Sequence, residues 1–587
     1  MFGFLRKTRR SKERRYQPRL EILEERTVPA TITLTGAGRF QDGLAAGLTY
    51  TGGNNYTAIN LRSAIIGADN LGGPDTIVLE TGTYTMDGSD GQFLVSDPSG
   101  NLTIENGAGG ISTINAQGLS RVFLNQSGLT LSGLRIENGL ASDLGGAIFN
   151  NGTLNITNCQ FVNNTALGGL DGSPVQGGAI YNFANRTLNV QNSTFSGNVA
   201  QGGTSSILLG NNVLLGGTAD ASGGAIFLAG GIAPLTDTIL DSTFVNNQAI
   251  GGNGIVYFGF GSRGGFGAGG GVFAEAGADN LLVINSTFAA NVAIGGSGAL
   301  ADGGNGAGGG LYLQNGGTGM FSLANDTIAL NNARGGQGNG VLASNGTGSG
   351  GGLADNIGAA LFGVPVPKLI NTIVAKNTAN VNVDVDGVFA SLGSNLIGDN
   401  TGAAASFSSA TGDFVGSTAK PLNPGLDPLG NYGGPTQTFR PSVGSFVVDR
   451  GNNSVVTGPL SLTTDQRGQP RRSGGAVDIG AYEATLNTQN KSYSLAQGTT
   501  LSTTVAQSLL AGYYNPLGKN ITVRLVPGAG PANGTLTLNA NGTFTYKPPS
   551  SFHGTVSFRF QILVNGVASD IFTATLTVAK TSGRLTP

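Results

Sequence analysis

The groups that could do chemistry in this chain are few and scattered. Its only histidine, His553, stands in PSSFHGTV near the C-terminus, where it reads as a loop residue. A Ser-His-Asp triad in the body of the chain is therefore excluded. Its only cysteine, Cys159, stands in NCQFVNNTA, where similar segments carry Ser or Thr. It reads as a packed, inert thiol; an internal disulfide is impossible and a zinc site lacks ligands. Asp237, Asp241, Glu275, Asp302, Asp326 and Asp355 form no repeated column, and only Asp237 and Asp241 lie close together. Glycoside cleavage needs two carboxyls roughly 5 or 6.5–9.5 Å apart, and nothing in this spacing singles out such a pair. Calcium is the one metal with candidate ligands, Asp384 and Asp386 in DVDG and Asp87 and Asp90 in DGSDG. Neither fits the EF-hand spacing, and both read more simply as polar turns. Gly-rich runs such as GGNGIVYFGFGSRGG carry no G-x-x-x-x-G-K-[ST], which argues against a phosphate cradle. No catalytic constellation and no cofactor is expected.

The elements that would position such groups are repeated. The motif [ND]-x-x-φ-x-x-N-x-A recurs six times, as NCQFVNNTA, NSTFSGNVA, DSTFVNNQA, NSTFAANVA, NDTIALNNA and NTIVAKNTA, starting at Asn158, Asn192, Asp241, Asn285, Asn325 and Asn371. An L-x-[IV] pair precedes most copies, and G-G-x-φ followed by an aromatic lies further upstream. A unit of roughly 22–29 residues, less its insertions, is one turn of a parallel β-helix with three short strands. Alternation such as Leu154/Ile156 turns one row inward, and stacking builds a core that no single coil could bury.

The spacing predicts an amide ladder of Asn164, Asn198, Asn247, Asn291, Asn331 and Asn377, each side chain hydrogen-bonded to its copies above and below. The Gly pairs allow positive φ at a sharp corner, and the Gly-rich insertions at 201–222, 250–269 and 334–350 leave the coil at one corner. Phe149, Tyr181, Phe227, Phe273 and Tyr312 hold one place in successive units and should form a column. Two readings stay open. If Ile148, Ile180 and Ile226 point inward, the rings face out as a sugar-stacking platform. If the rings point inward, they are core.

Composition agrees with many short strands and tight turns. Glycine accounts for 101 residues, charged residues for 11% and apolar residues for 39%, without the Gly-x-y period of collagen. Residues 1–30 hold nine Lys/Arg and four Asp/Glu, which leaves 31−9=22 basic and 33−4=29 acidic residues, a net of -7, in the rest. This acidic body argues against a nucleic-acid partner. No run of 18 apolar residues occurs, so no transmembrane span is expected.

Several stretches resemble known families. PRLEILEERTVPA, closing the basic segment 1–30, resembles the N-terminal sorting segment of planctomycete exported proteins, which implies export and removal of the segment. The GGAI and FxxN units over 145–380 resemble polymorphic outer membrane proteins and the wider pectate-lyase-like class. No Gly-His-Gly or Arg-Ile-Lys triplet of the polygalacturonase type accompanies them. Residues 31–144 read as the cap and first coils, with Leu61 to Ile66 a capping helix and Asp75 to Leu79 the first strand. NYGGPTQTFRPSVGSFVVDRG, TTDQRGQPRR and VDIGAYE within 381–484 resemble the choice-of-anchor Q domain, here read as the C-terminal β-helix region. After a linker at 485–489, GTLTLNANGTFTYKPPSSFHGTVSFRFQIL within 490–580 resembles bacterial cadherin-like or Ig-like repeats, which implies a seven-strand sandwich. Residues 581–587 are a tail. Together these imply an all-β chain, a right-handed single-stranded parallel β-helix (a pectate-lyase-like solenoid) followed by a small Ig/cadherin-like sandwich. The expected function is that of a secreted or cell-surface structural or adhesive protein, with extracellular polysaccharide or a cell-envelope component as partner. The rival expectation is a polysaccharide lyase or glycoside hydrolase.

Overall fold

The computed structural model describes residues 29–580 except 36–39, 44–45, 72, 98–99, 108, 170–171, 205–218, 258–259, 276, 278, 315, 356–363, 474, 485–489, 512, 514, 516–519 and 565–566. Residues 1–28, 485–489 and 581–587, where the sorting segment, linker and tail are expected, lie outside the described residues.

Period-two alternation makes the strands, and Asn and Gly make the corners. In one coil, Ile148–Asn150, Thr153–Thr157, Gln160–Val162 and Thr165–Leu167 follow one another across short turns. Each pairs in parallel with its copy in the next coil, as in Ile148↔Ile180, Leu154↔Leu188, Phe161↔Phe195 and Ala166↔Ala200. Among the described residues the stack comprises sheets of 13, 11 and 9 strands and two corner sheets of 7 and 5. The coil thus has more than the three expected strands. The Asn-x-Ala end of the motif pairs with its copies, and a two-residue strand such as Val175–Gln176 pairs just before the Gly-Gly corner.

The first residue of each motif copy sits in the left-handed region, with φ of 50–56° at Asn158, Asn192, Asp241, Asn285, Asn325 and Asn371. Asn and Asp tolerate this conformation best among residues with a Cβ. Gly145, Gly177 and Gly223 have φ of 60–70° at the opposite corner. Inside, Phe161, Phe195, Phe244 and Phe288 lie fully buried with centroids 4.8 Å apart and planes within 5° of parallel.

The N-terminal end is closed by a helix, Leu61–Leu71, longer than the sequence implied. Its Leu61, Ala64, Ile65 and Ala68 pack onto the core, and Asn60 caps it by accepting the Ser63 N–H at 2.8 Å. Thr31–Leu34, not the strand at Thr76–Leu79, comes first, and it pairs between Asn55–Ala58 and Thr76–Leu79.

The expectation for 381–484 needs a larger correction. Solenoid strands end at Phe414–Val415. Residues 416–484 then return along the outside of earlier coils, so that Thr436 and Gln466 bond to Asp241 and Ser242. Repeat logic fails here because this segment covers coils instead of adding one. Beyond it, sheets of four and three strands face each other around Tyr546, Phe544, Phe558, Phe560 and Ile562, with Phe544 and Phe558 edge to face at 5.4 Å. The chain is therefore a parallel β-solenoid followed by a small two-sheet β domain.

Candidate functional site

Three polar columns run through the stack, and they hold Cys159, Asp237, Asp326 and Asp384. The motif asparagines form the first. Asn164, Asn198, Asn247, Asn291 and Asn331 each donate from Nδ2 to Oδ1 of the next, Asn377 last, at 2.8–3.0 Å. The same Oδ1 atoms accept a backbone N–H from the preceding coil, as from Asn198 to Asn247 at 3.0 Å. Both ends of each amide are used in a fully buried corner, where an unmade bond would leave a desolvated dipole. Asp384 ends the column, accepting from the Asn377 N–H and Nδ2 at 2.9 Å and, on its other oxygen, from the Asp399 N–H. Burial pushes its carboxyl up to about 6. Asp386 accepts from Asn382 at 2.8 Å, Asp87 from Ser89, and Asp90 lies 3.9 Å from Arg62. Asp384 is thus the last rung of the ladder, and both its oxygens accept hydrogen bonds.

The second column was not anticipated. Asn125, Asn150 and Asn182 are buried and linked at 2.6–2.7 Å, and Asn182 faces Asp237. Its signal was present in FLN, IFN and IYN, where Asn follows the aromatic position. Asp237 pairs in register with Leu281, so a carboxylate occupies a leucine row. It accepts the Leu188 N–H at 2.7 Å, and burial pushes it up to about 7, with Asp279 nearby adding to the rise. A folded-state value above the ordinary 3.8 stabilises below 3.8, and that stability is lost as pH rises through 7. Asp237→Asn should therefore gain a few kcal/mol over the parent between pH 5 and pH 8. Thermal melts at both pH values check this, and a constant gap would contradict it.

Hydroxyls make the third column. Cys159, Ser193, Ser242 and Ser286 each present a backbone N–H to the side chain of the next coil, the last to Asp326 Oδ1 at 2.8 Å, and the relay runs on from the Asp326 N–H to Thr372 and from the Thr372 N–H to Asn395. Cys159 is buried and burial pushes its thiol up to about 12, so it is not a nucleophile at neutral pH. Asp326 is fully buried and raised well above the ordinary carboxylate range.

The aromatic column is in register but matches neither expectation. Ile148, Ile180 and Ile226 are in the core, so alternation turns Phe149, Tyr181, Phe227, Phe273 and Tyr312 outward and the inward reading is wrong. The open platform is corrected too. From Tyr181 to Tyr312 the rings stack at 5.0–5.5 Å with planes within 11°. Their faces are taken by one another, and a sugar needs a face. Leu144, Phe266, Ala229 and Ala268 pack against the column, leaving Tyr181, Phe227 and Phe273 at most 8% exposed. Only the end rings, Phe149 and Tyr312, are half-buried, and Arg121 lies 5.6 Å from the Phe149 centroid.

The fold-back segment adds a buried polar seam. The hydroxyls of Thr243, Thr287 and Thr327, first residues of three stacked strands, face it. Thr287 donates to Gln466 Oε1 at 2.6 Å, Gln466 donates to Thr243 at 3.0 Å, and Thr327 accepts the Ala481 N–H. Arg467 pairs with Asp465 at 2.6 Å under the Tyr482 ring. Arg471, 1% exposed, donates to the carbonyls of Asp478 and Gly480. Asp478 and Glu483 are both pushed up by burial, and Glu483 accepts the N–H groups of Ser473 and Asp478. The motifs TTDQRGQPRR and VDIGAYE are thus explained as the seam that holds the return segment on the coils.

Three comparisons with known proteins bear on this geometry. A model of the bacterial cadherin-like domain matches residues 483–581. The β domain formed by these residues is similar to that family. No curated protein matches the chain. Among solved structures it is similar to a rhamnogalacturonan lyase at TM-score 0.28 and 10% identity, over 61% of this chain and 83% of that one. A likeness at that level carries no inference about activity. Among the described residues, no helix is long and apolar enough to cross a membrane.

Proposed function

We propose that this protein is an exported bacterial surface protein whose solenoid is a structural or adhesive scaffold and not a catalyst. Extracellular polysaccharide or a cell-envelope component is its partner. The observation that carries the reading is how the buried carboxylates are used. Asp237, Asp326 and Asp384 stand at the ends of, or within, hydrogen-bonded columns, where they accept backbone or amide N–H groups from adjoining coils. A carboxyl used this way holds coils together and is kept from solvent, whereas a general acid or nucleophile must reach its substrate. The cadherin-like domain supports placement at a bacterial surface. Sugar contact on the aromatic face then falls on the half-buried end rings, Phe149 and Tyr312.

The test is retention of the purified protein on a panel of immobilised polysaccharides and envelope fractions, beside Phe149→Ala and Tyr312→Ala variants. Retention of the parent and its loss in a variant that melts normally is the expected result. No retention on any member would contradict the adhesive reading.

A further inference from the structure

The Gly-rich insertions build a ridge. They leave the solenoid at Gly251, Gly295 and Gly335 and return at Gly264, Gly303 and Gly346. Outgoing and returning segments alternate in one hydrogen-bonded row: Gly265 donates to Gly252, Gly296 to Gly265, Gly304 to Gly296, Gly336 to Gly304 and Gly346 to Gly336, at 2.8–2.9 Å. A Cβ on Gly296, Gly304 or Gly346 would meet a neighbouring backbone oxygen at 1.8–1.9 Å, so only glycine permits this packing. Farther out the hairpins remain joined, through Gly254 to Ser297, Ala299 to Ser262, Gly298 to Gln337 and Asn339 to Ala301. The ridge is therefore braced from its neck outward, and many of its peptide groups are paired.

Its outer edge is apolar. Phe260 is 69% exposed, Leu300 55%, Val341 103% and Leu342 95%, beside Val256. Residues 250–262, 294–301 and 335–354 contain no Asp, Glu, Lys or Arg. At the flank, Arg263 and Asp302 neutralise each other at 2.9 Å. Isolated exposed apolar residues need no explanation, but a row of them on a braced, uncharged ridge does.

We propose that this edge inserts into a lipid surface. Its exposed apolar side chains, Val256, Phe260, Leu300, Val341 and Leu342, are few beside the roughly 20–30 residues a side that a stable protein interface uses. A lipid surface needs no complementary shape. It does need apolar tips, a braced backbone and no charge to desolvate, and the ridge offers exposed apolar side chains, a hydrogen-bonded neck and uncharged segments at 250–262, 294–301 and 335–354. The proposal does not rest on the polysaccharide reading, since it uses a different corner of the coil.

The experiment is co-sedimentation of the full chain with phosphatidylcholine vesicles, with and without 0.5 M salt (roughly a fifty-fold rise over 0.01 M, ample to screen charge). Binding that resists salt is expected. The pair Val341→Asn with Leu342→Asn should weaken partitioning by about tenfold or more, since two apolar side chains are withdrawn from lipid. Both residues are exposed, so the melting temperature should not change. No sedimentation of the parent, sedimentation abolished by salt, or sedimentation unchanged in the double variant would overturn the proposal. So would light scattering in which the parent dimerises through the same residues without binding vesicles.

Discussion

Asn247→Asp should destabilise the solenoid by about 3–5 kcal/mol at pH 8, the usual scale for an uncompensated buried charge. The native Nδ2 donates to Asn291 Oδ1 at 2.8 Å and to the Phe195 carbonyl at 3.0 Å. Aspartate would turn both donors into an anionic oxygen facing two acceptors, in a side chain with no exposed surface. Protonation restores one donor, so part of the loss should be recovered near pH 4. The neighbouring Asn246 is the control. It is exposed with φ of 56°, which aspartate tolerates, so Asn246→Asp should change little. Denaturant melts at the two pH values check the prediction, and equal effects at 246 and 247 would contradict it.

Phe244→Ala should be comparably severe, about 3–5 kcal/mol. Its ring is stacked on both faces, against Phe195 and Phe288 at 4.8 Å, inside a closed core with 0% exposure. Sheets fixed by parallel pairing on both sides cannot collapse into the cavity. Phe227→Ala should cause less loss although its ring stacks similarly, because the outer column lies outside the closed core, covered by a few side chains such as Leu144 and Phe266. Equilibrium unfolding of the two variants checks the order, and a larger loss at 227 would contradict it.

Much of the scaffold was legible because repetition tests itself. Six copies of one motif with Asn at its seventh place demand one environment, and stacking turns that demand into a ladder. The [ND] at the first place carried a second message, left-handed backbone, which a type preference alone does not distinguish from hydrogen bonding. The aromatic column was legible as a column. Its orientation followed from Ile148, Ile180 and Ile226, but the loss of ring faces to mutual stacking follows from ring planes, which spacing does not contain. The seam was illegible for a different reason. Gln466 meets Thr243 and Thr287 across more than 170 residues, and a segment that covers earlier coils leaves no period to read. Sequence spacing places Asp237 near Asp241, yet its partner is Asn182, a rung of the second ladder. Glycine at the insertion necks has no phosphate-loop signature, and what it permits is backbone packed on backbone.

The claim that buried carboxylates here hold coils together and do not cleave sugars has one direct test. Purified full-length protein is incubated with a panel of neutral and acidic polysaccharides, and reducing ends and unsaturated uronates are followed over time. Release indistinguishable from a heat-killed control on every substrate is the predicted result. Release above that control on any substrate, lost on Asp237→Asn or Asp326→Asn substitution in a variant that still folds, would contradict it.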